Sequence, residues 1–198
     1  MSAPDLSPWQ WAGMGAVLMV MVLAGVLGYL SWRRRRAARE RLRPLEAIAF
    51  DMLRDVVLPD GNDGQIHVDF LLLTASGMLV VDLRDVQGTL FAGESLDEWA
   101  LMDGPRRSTF GNPLAMLYDR MAAVGHLAGK DVPVDGRVVF TARASFPKGR
   151  PRRVTVVETL AQEFPAADRN ANPTPVAAWL EAWSRVREAA SPSPVARG

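Results

Sequence analysis

The sequence predicts an α/β domain, a mixed β-sheet flanked by helices, set behind one N-terminal transmembrane helix. Three observations carry this reading. Two short apolar runs, Val68 to Leu73 and Met78 to Leu83, flank Thr74-Ala75-Ser76-Gly77, a four-residue stretch with turn chemistry, and that combination predicts a β-hairpin. Segments with apolar residues at helical spacing lie before and after further short apolar runs. No charged residue occurs from Trp11 to Trp32. With 198 residues the chain has room for one domain and an extra segment.

Composition narrows the chemistry. The formal net charge is +1, so overall charge says little about partners. The absence of Cys excludes disulfides and thiolate metal sites. With only two His in addition, nothing in the sequence points to zinc. The basic residues are almost all Arg, with Lys only at 130 and 148.

The uncharged stretch 11–32 would span roughly 33 Å as a helix, enough to cross a hydrocarbon core. Arg33 to Arg36 follow it directly and only Asp5 precedes it, the reverse of a cleavable signal, so it is expected to stay as an anchor. Trp9, Trp11, Tyr29 and Trp32 sit at its two ends, where amphipathic rings favour the interface. The positive-inside rule then puts residues 1–10 outside and everything after the basic juxtamembrane linker, 33–43, on the cytoplasmic face of the inner membrane. The arginines of that linker either contact anionic lipid, at about 1 kcal/mol per charge near the surface, or only fix orientation.

Pro44 can open a helix in which Leu45, Ile48, Ala49, Met52 and Leu53 recur at helical spacing. Val56 to Leu58 should form a short first strand, closed by the glycine-rich loop 59–64. In the hairpin, Leu73 facing Met78 sets a register that continues through Leu71 with Val80, Asp69 with Asp82 and His67 with Arg84, all on one sheet face. Opposed carboxylates about 5 Å apart repel, so a divalent cation or Arg84 is needed beside them. On the other face Val68, Phe70, Leu72, Leu79, Val81 and Leu83 are apolar, as in a central sheet covered on both sides. Buried acids on such strands are costly unless paired or metal-bound, which singles out Asp69 and Asp82.

Further on, Thr89 to Phe91 and Trp99 to Met102 read as strands, with Trp99 in the core. Asn112-Pro113 reads as a helix cap and first turn, followed by Leu114, Leu117, Tyr118, Met121, Val124 and Leu127 on one face. Val134 to Thr141 and Val154 to Val157 are two more strands. Arg143, Lys148, Arg150, Arg152 and Arg153 lie in their connection, either a phosphate-binding surface or a solvated loop. Pro173 to Ala190 is expected to be an amphipathic helix that ends the 44–190 domain, and 191–198 a disordered tail.

Asp69, the strand from Gly77 to Val81, Asp82-x-Arg84, Gln87-Gly88, Trp99 and Asn112-Pro113 together resemble the NERD (nuclease-related) domain family, over about residues 44 to 160. The resemblance implies a restriction-endonuclease-like sheet. It also implies a Mg²⁺ site built from Asp69 and Asp82, with Glu46 as third ligand and Arg84 where the family carries Lys. Four positions depart from the pattern: Asp for Glu at 82, Arg for Lys at 84, Phe70 for a His, and Met116 or Leu117 for a Gln. Arg84 is always protonated, so it can steady developing charge but cannot act as a base, and it can also neutralise the acids without a metal. Two functions of different class follow. One is a degenerate nuclease fold, a pseudoenzyme that binds nucleic acid or protein at the membrane. The other is an active Mg²⁺-dependent phosphodiesterase cleaving DNA or RNA. A small-molecule ligand is not expected under either.

Overall fold

The computed structural model describes residues 8–62, 64–168 and 176–194; within the first helix, the side chains of 8–18, 20 and 34–41 lie outside the description. The chain divides into two compact units, Met1–Leu42 and Arg43–Gly198.

The first helix, α1, runs Pro8–Ile48 with Pro44 inside it. Pro44 thus lies within a helix, where the sequence suggested a separate one starting there. In the first unit Met19, Met21, Val22, Leu23, Val26, Leu27, Leu30 and Trp32 are exposed on α1. The expected membrane span covers 11–32, and much of it lies outside the residues with described side chains. Among the described residues, no helix is long and apolar enough to cross a membrane.

The second unit is built on a six-stranded mixed sheet. Its strands are β1 (Asp51–Pro59), β2 (Gln65–Thr74), β3 (Gly77–Arg84), β7 (Val134–Phe140), β9 (Val154–Val156) and β10 (Ser191–Pro192), in the order β10-β1-β2-β3-β7-β9. The β1–β2 and β2–β3 pairs are antiparallel, whereas β7 joins β3 and β9 joins β7 in parallel. A second sheet, ordered β6-β5-β4-β8, is made from β4 (Gly88–Phe91), β5 (Glu98–Asp103), β6 (Arg106–Gly111) and β8 (Ala144–Ser145). Helices α2 (Pro113–Ala128), α3 (Leu160–Glu163) and α4 (Leu180–Ala189) complete the unit, α4 being preceded by a turn of 3-10 helix, Ala177–Trp179.

The hairpin forms in the expected register, with Leu73 opposite Met78 and Leu71 opposite Val80. Its turn is tighter than four residues, because Thr74 pairs with Gly77. Thr74 Oγ1 donates to the Gly77 carbonyl at 2.9 Å. Gly77 has φ +118, and a Cβ there would stand 2.3 Å from the Pro133 carbonyl oxygen, so this position tolerates only glycine.

Alternation along β2 and β3 feeds two cores. Leu72, Leu79 and Val81 pack with Leu45 and Ile48 of α1 and with Ala49 just after it. Leu71, Leu73, Met78 and Val80 pack with Leu114, Leu117 and Val124 of α2 and with Trp183 and Val186 of α4. The hairpin strands are therefore covered on both faces, as their near-continuous apolar runs require.

Several boundaries differ from the sequence reading, each for a tertiary reason. Met52 and Leu53 continue the helical spacing of Leu45 and Ile48, yet they belong to β1, which spans Asp51–Pro59 where a strand over 56–58 was expected. Pairing of Asp51, Met52 and Leu53 with Leu73, Leu72 and Leu71 outweighs local period. Tyr118 is exposed although it falls beside the apolar stripe of α2. The supposed tail begins as β10, where Pro192 faces Val56 and Ser191 faces Val57 on the open edge of β1; Ser193 N–H donates to the Asp55 carbonyl at 2.8 Å. An edge strand offers unpaired backbone groups, and a short passing segment takes them up. Residues 173–175 of the expected last helix, and 195–198, lie outside the described residues.

Candidate functional site: an aspartate row closed by arginines

Three strands each bring one aspartate to the same level of the sheet. Asp69 and Asp82 lie one step beyond the last recorded β2–β3 pair, Phe70 with Val81. Asp55 falls in the gap of the β1–β2 register between the pairs Arg54–Phe70 and Val56–Val68, opposite Asp69. Asp55 has φ 48, a left-handed conformation uncommon outside glycine and most accessible to Asn and Asp. Such backbone persists only where surrounding structure holds it; here the hydrogen bond from Ser193 N–H to its carbonyl does so.

Asp82 is buried, 1% exposed, and two guanidiniums close on it. Arg84 Nη2 donates to Oδ2 at 2.9 Å, and Arg84 Nε approaches Oδ1 at 2.8 Å without hydrogen-bond alignment. Arg120 Nη1 donates to the same Oδ2 at 2.8 Å. Burial by itself would raise the Asp82 pKa. The Arg84 hydrogen bond and charge, the Arg120 charge and a hydrogen bond from Asp69 outweigh it, and hold the carboxyl below its ordinary value of 3.8.

Arg120 escaped the sequence reading. It is 6% exposed and projects from the buried face of α2, three residues after Leu117 and four before Val124, so an Arg in a core stripe was the available signal. Its Nε donates to the His67 carbonyl at 2.7 Å, beyond the end of the β2–β3 ladder. Arg120 thus bridges the gap where these strands stop pairing and reaches Asp82 at the same time. It comes from the helix that opens at Asn112-Pro113, whereas Met116 is exposed and Leu117 is fully buried core. Asn112 accepts from Leu114 N–H at 3.0 Å and donates to the Leu96 carbonyl at 2.8 Å, capping α2 and pinning the β4–β5 loop.

Glu46 is not brought to these acids. It pairs with Arg54 at 2.5 Å, next to the Leu45–Ile48 face of α1, whereas Asp82 bonds to α2 on the opposite face of the sheet. His67 does not meet Arg84 across the strands. Its ring lies between Asp55, 3.2 Å from Nε2, and Asp69, 3.3 Å from Nδ1. A Mg²⁺ ion held by Asp69, Asp82 and Glu46 does not fit this arrangement: Asp82 Oδ2 already accepts two charge-assisted hydrogen bonds, Oδ1 faces Arg84 Nε, and the third carboxylate is on the other side of the sheet.

The basic connection is largely engaged within the domain. Arg143 pairs with Asp85 at 2.5 Å, Lys148 Nζ stands 5.8 Å from the Phe91 ring centroid, and Arg150 donates to Thr159 Oγ1 at 3.2 Å. Arg153 pairs with Asp135 and lies over Tyr118. Arg152 is exposed, and its backbone N–H donates to Glu94 at 2.8 Å. A cleft lined by Arg137, Arg152 and Arg153 is also lined by Asp135 and Glu163, so its charge is mixed.

Comparison with known proteins gives one match. The family model described as "Nuclease-related domain" (NERD) matches residues 31–141, more than half of the chain and inclusive of Asp55, Asp69, Asp82, Arg84, Asn112 and Arg120. No curated protein matches the chain, and no solved structure does.

Proposed function

Because the chain belongs to the nuclease-related domain (NERD) family, we propose that it is a member whose nuclease-like fold serves binding rather than cleavage, tethered to the cytoplasmic face of the membrane. One observation carries the reading: the buried Asp82 is neutralised from within by Arg84 and Arg120. Metal-assisted phosphodiester hydrolysis needs carboxylates free to hold the ion and a group beside the attacking water. Here the carboxylate that should bind metal is the centre of a buried ion cluster, and an arginine cannot serve as base. Such a cluster holds β3, β2 and α2 in one arrangement, which suits a rigid binding scaffold. The internal pairing of Arg143, Arg150 and Arg153 favours a protein partner over a phosphate backbone.

The test is a cleavage assay on the full chain in detergent, with plasmid DNA and labelled RNA, in Mg²⁺ or Mn²⁺, beside Asp69→Asn. No metal-dependent cleavage is expected. Cleavage that needs the ion and disappears in Asp69→Asn would establish the alternative, an active phosphodiesterase, and end the binding-module reading.

The anchor rests on the uncharged stretch 11–32 followed by Arg33 to Arg36, and on the exposed apolar side chains that α1 carries between Met19 and Trp32. Burying one such side chain contributes about 1.5–3 kcal/mol, so water is a poor solvent for this helix. The protein is expected to stay in the membrane pellet after alkaline carbonate extraction and to be released by detergent. Release by carbonate alone would rule out an integral anchor.

A further inference from the structure

Of the four sheet edges, three are short. The six-stranded sheet closes on β10, of 2 residues, and on β9, of 3, and the smaller sheet closes at one end on β8, of 2. The fourth edge, β6, runs the 6 residues of Arg106–Gly111. It pairs with β5 on one side in an unbroken register, and among the described residues no hydrogen bond reaches its outward backbone groups. Sheets shorten, bulge or cover their edges because a row of such groups recruits another strand. β6 is neither short nor bulged, and no proline lies within it.

The direction of its backbone groups follows from the β5 ladder. Asn112 N–H donates to the Asp97 carbonyl at 2.8 Å, which makes Asp97 and Asn112 a hydrogen-bonded pair, and bonded and open pairs alternate along an antiparallel ladder. Ser108 and Phe110 therefore turn their backbone groups to β5, whereas Arg107, Thr109 and Gly111 turn theirs outward. Side chains alternate with the same period: Phe110 meets Trp99 in the core, and Arg107, Thr109 and Glu98 stand exposed on the other face.

We infer that β6 is a contact between two copies of this chain, paired antiparallel about a two-fold axis at Thr109. Thr109 then faces Thr109 of the second copy and Arg107 faces Gly111 of the second copy, so all three outward residues are paired and the two four-stranded sheets become one. Prolines fix the register. Moving the axis to Ser108 sets Gly111 against Pro105, and moving it to Phe110 sets Arg107 against Pro113; neither proline has an N–H to give.

Charge selects the same register. Gly111 pairs with Glu98 of β5, so Arg107 of one copy and Gly111 and Glu98 of the other form one row across three strands. Arg107 and Glu98 then stand about 10 Å apart between Cα atoms, with only a glycine between them. A Cβ at Gly111 would meet nothing within 4 Å, so their side chains have open space in which to pair. Neither has an ion pair among the described residues. Facing threonines and opposite charges both favour strand pairing, and the arrangement is self-complementary, as a two-fold interface requires. The contact is independent of the Asp82 cluster and of the cleavage assay.

The test sizes the full chain in detergent by sedimentation velocity over a range of concentrations. A dimer in equilibrium with monomer is expected. Thr109→Pro removes an N–H that β5 does not use, a change that an edge strand tolerates. It should weaken the dimer about tenfold with tryptophan fluorescence unchanged. Arg107→Glu and Glu98→Arg should each weaken it about fivefold, and the double variant, which restores opposite charges, should recover the parent affinity. The chain has no Cys, so Thr109→Cys places a single thiol at the axis, where facing Cα atoms stand about 5.5 Å apart and within disulfide reach. Mild oxidation should link this variant into dimers, and should not link Leu180→Cys, altered at another exposed site. A monomeric parent at every concentration, a dimer unmoved by Thr109→Pro, a double charge variant as weak as its singles, or equal linking at both cysteines overturns the contact.

Discussion

Asp82→Ala is expected to destabilise the second unit by about 3–5 kcal/mol, because it strips a shared carboxylate from two guanidiniums, one of which is buried. Arg120 is 6% exposed and loses its Asp82 partner at 2.8 Å while keeping only the His67 carbonyl. The cost is the penalty of a stranded cation rather than the net worth of the ion pair. Asp82→Val combined with Arg120→Met should therefore cost much less than the sum of the single changes, since no deeply buried charge is left alone and Arg84, whose side chain is 37% exposed, can turn to water. Urea unfolding of the detergent-solubilised chain, followed by tryptophan fluorescence, measures both. Equal or additive losses would mean that the cluster is solvated and not a buried unit. The same group sets an acid limit. Asp82 titrates below its ordinary value of 3.8, so its contribution is fully present above about pH 4 and is lost as pH falls through the lower folded value. The stability gap between wild type and Asp82→Asn should be flat from pH 5 to 8 and narrow only below about pH 4.

Trp99→Ala should cost a similar amount, about 3–5 kcal/mol, by opening a cavity between the two sheets. Trp99 is fully buried on β5. It stacks on Phe140 of β7 at 6.3 Å and meets Phe110 of β6 edge-on at 6.1 Å. Its Nε1 donates to the Gly93 carbonyl at 3.0 Å, so the truncation also leaves that acceptor in the β4–β5 loop with only the longer contact from Asn112 Nδ2, at 3.5 Å. Trp99→Phe keeps most of the ring contacts and should lose only about 1–2 kcal/mol. A small effect of Trp99→Ala in urea unfolding would show that the four-stranded sheet is not packed on the main core.

Legibility in the sequence followed the range of the interactions. The hairpin was readable because turn chemistry and alternation act over a few residues, and its register placed Asp69 level with Asp82. The cap at Asn112-Pro113 and the burial of Trp99 were readable for the same reason. β6, β8 and β10 were not, since short strands form only where a neighbouring edge supplies partners. Arg106 to Gly111 has no strong apolar alternation, and it is a strand because β5 pairs with it along its length.

The site divides in the same way. By itself the sequence determined that two aspartates share a level on a doubly covered sheet and that Arg84, two residues after Asp82, points to the same side, because a strand has a period of two. It could not say which cation answers Asp82, nor which other residues join the row. Arg120 arrives from a helix 38 residues away, and Asp55 and His67 meet only through the β1–β2 pairing. Glu46 was assigned to the acids by pattern, and the packing of α1 on the opposite face removed it. Local spacing decides which face a side chain occupies; only the packing of helix on sheet decides what waits for it there.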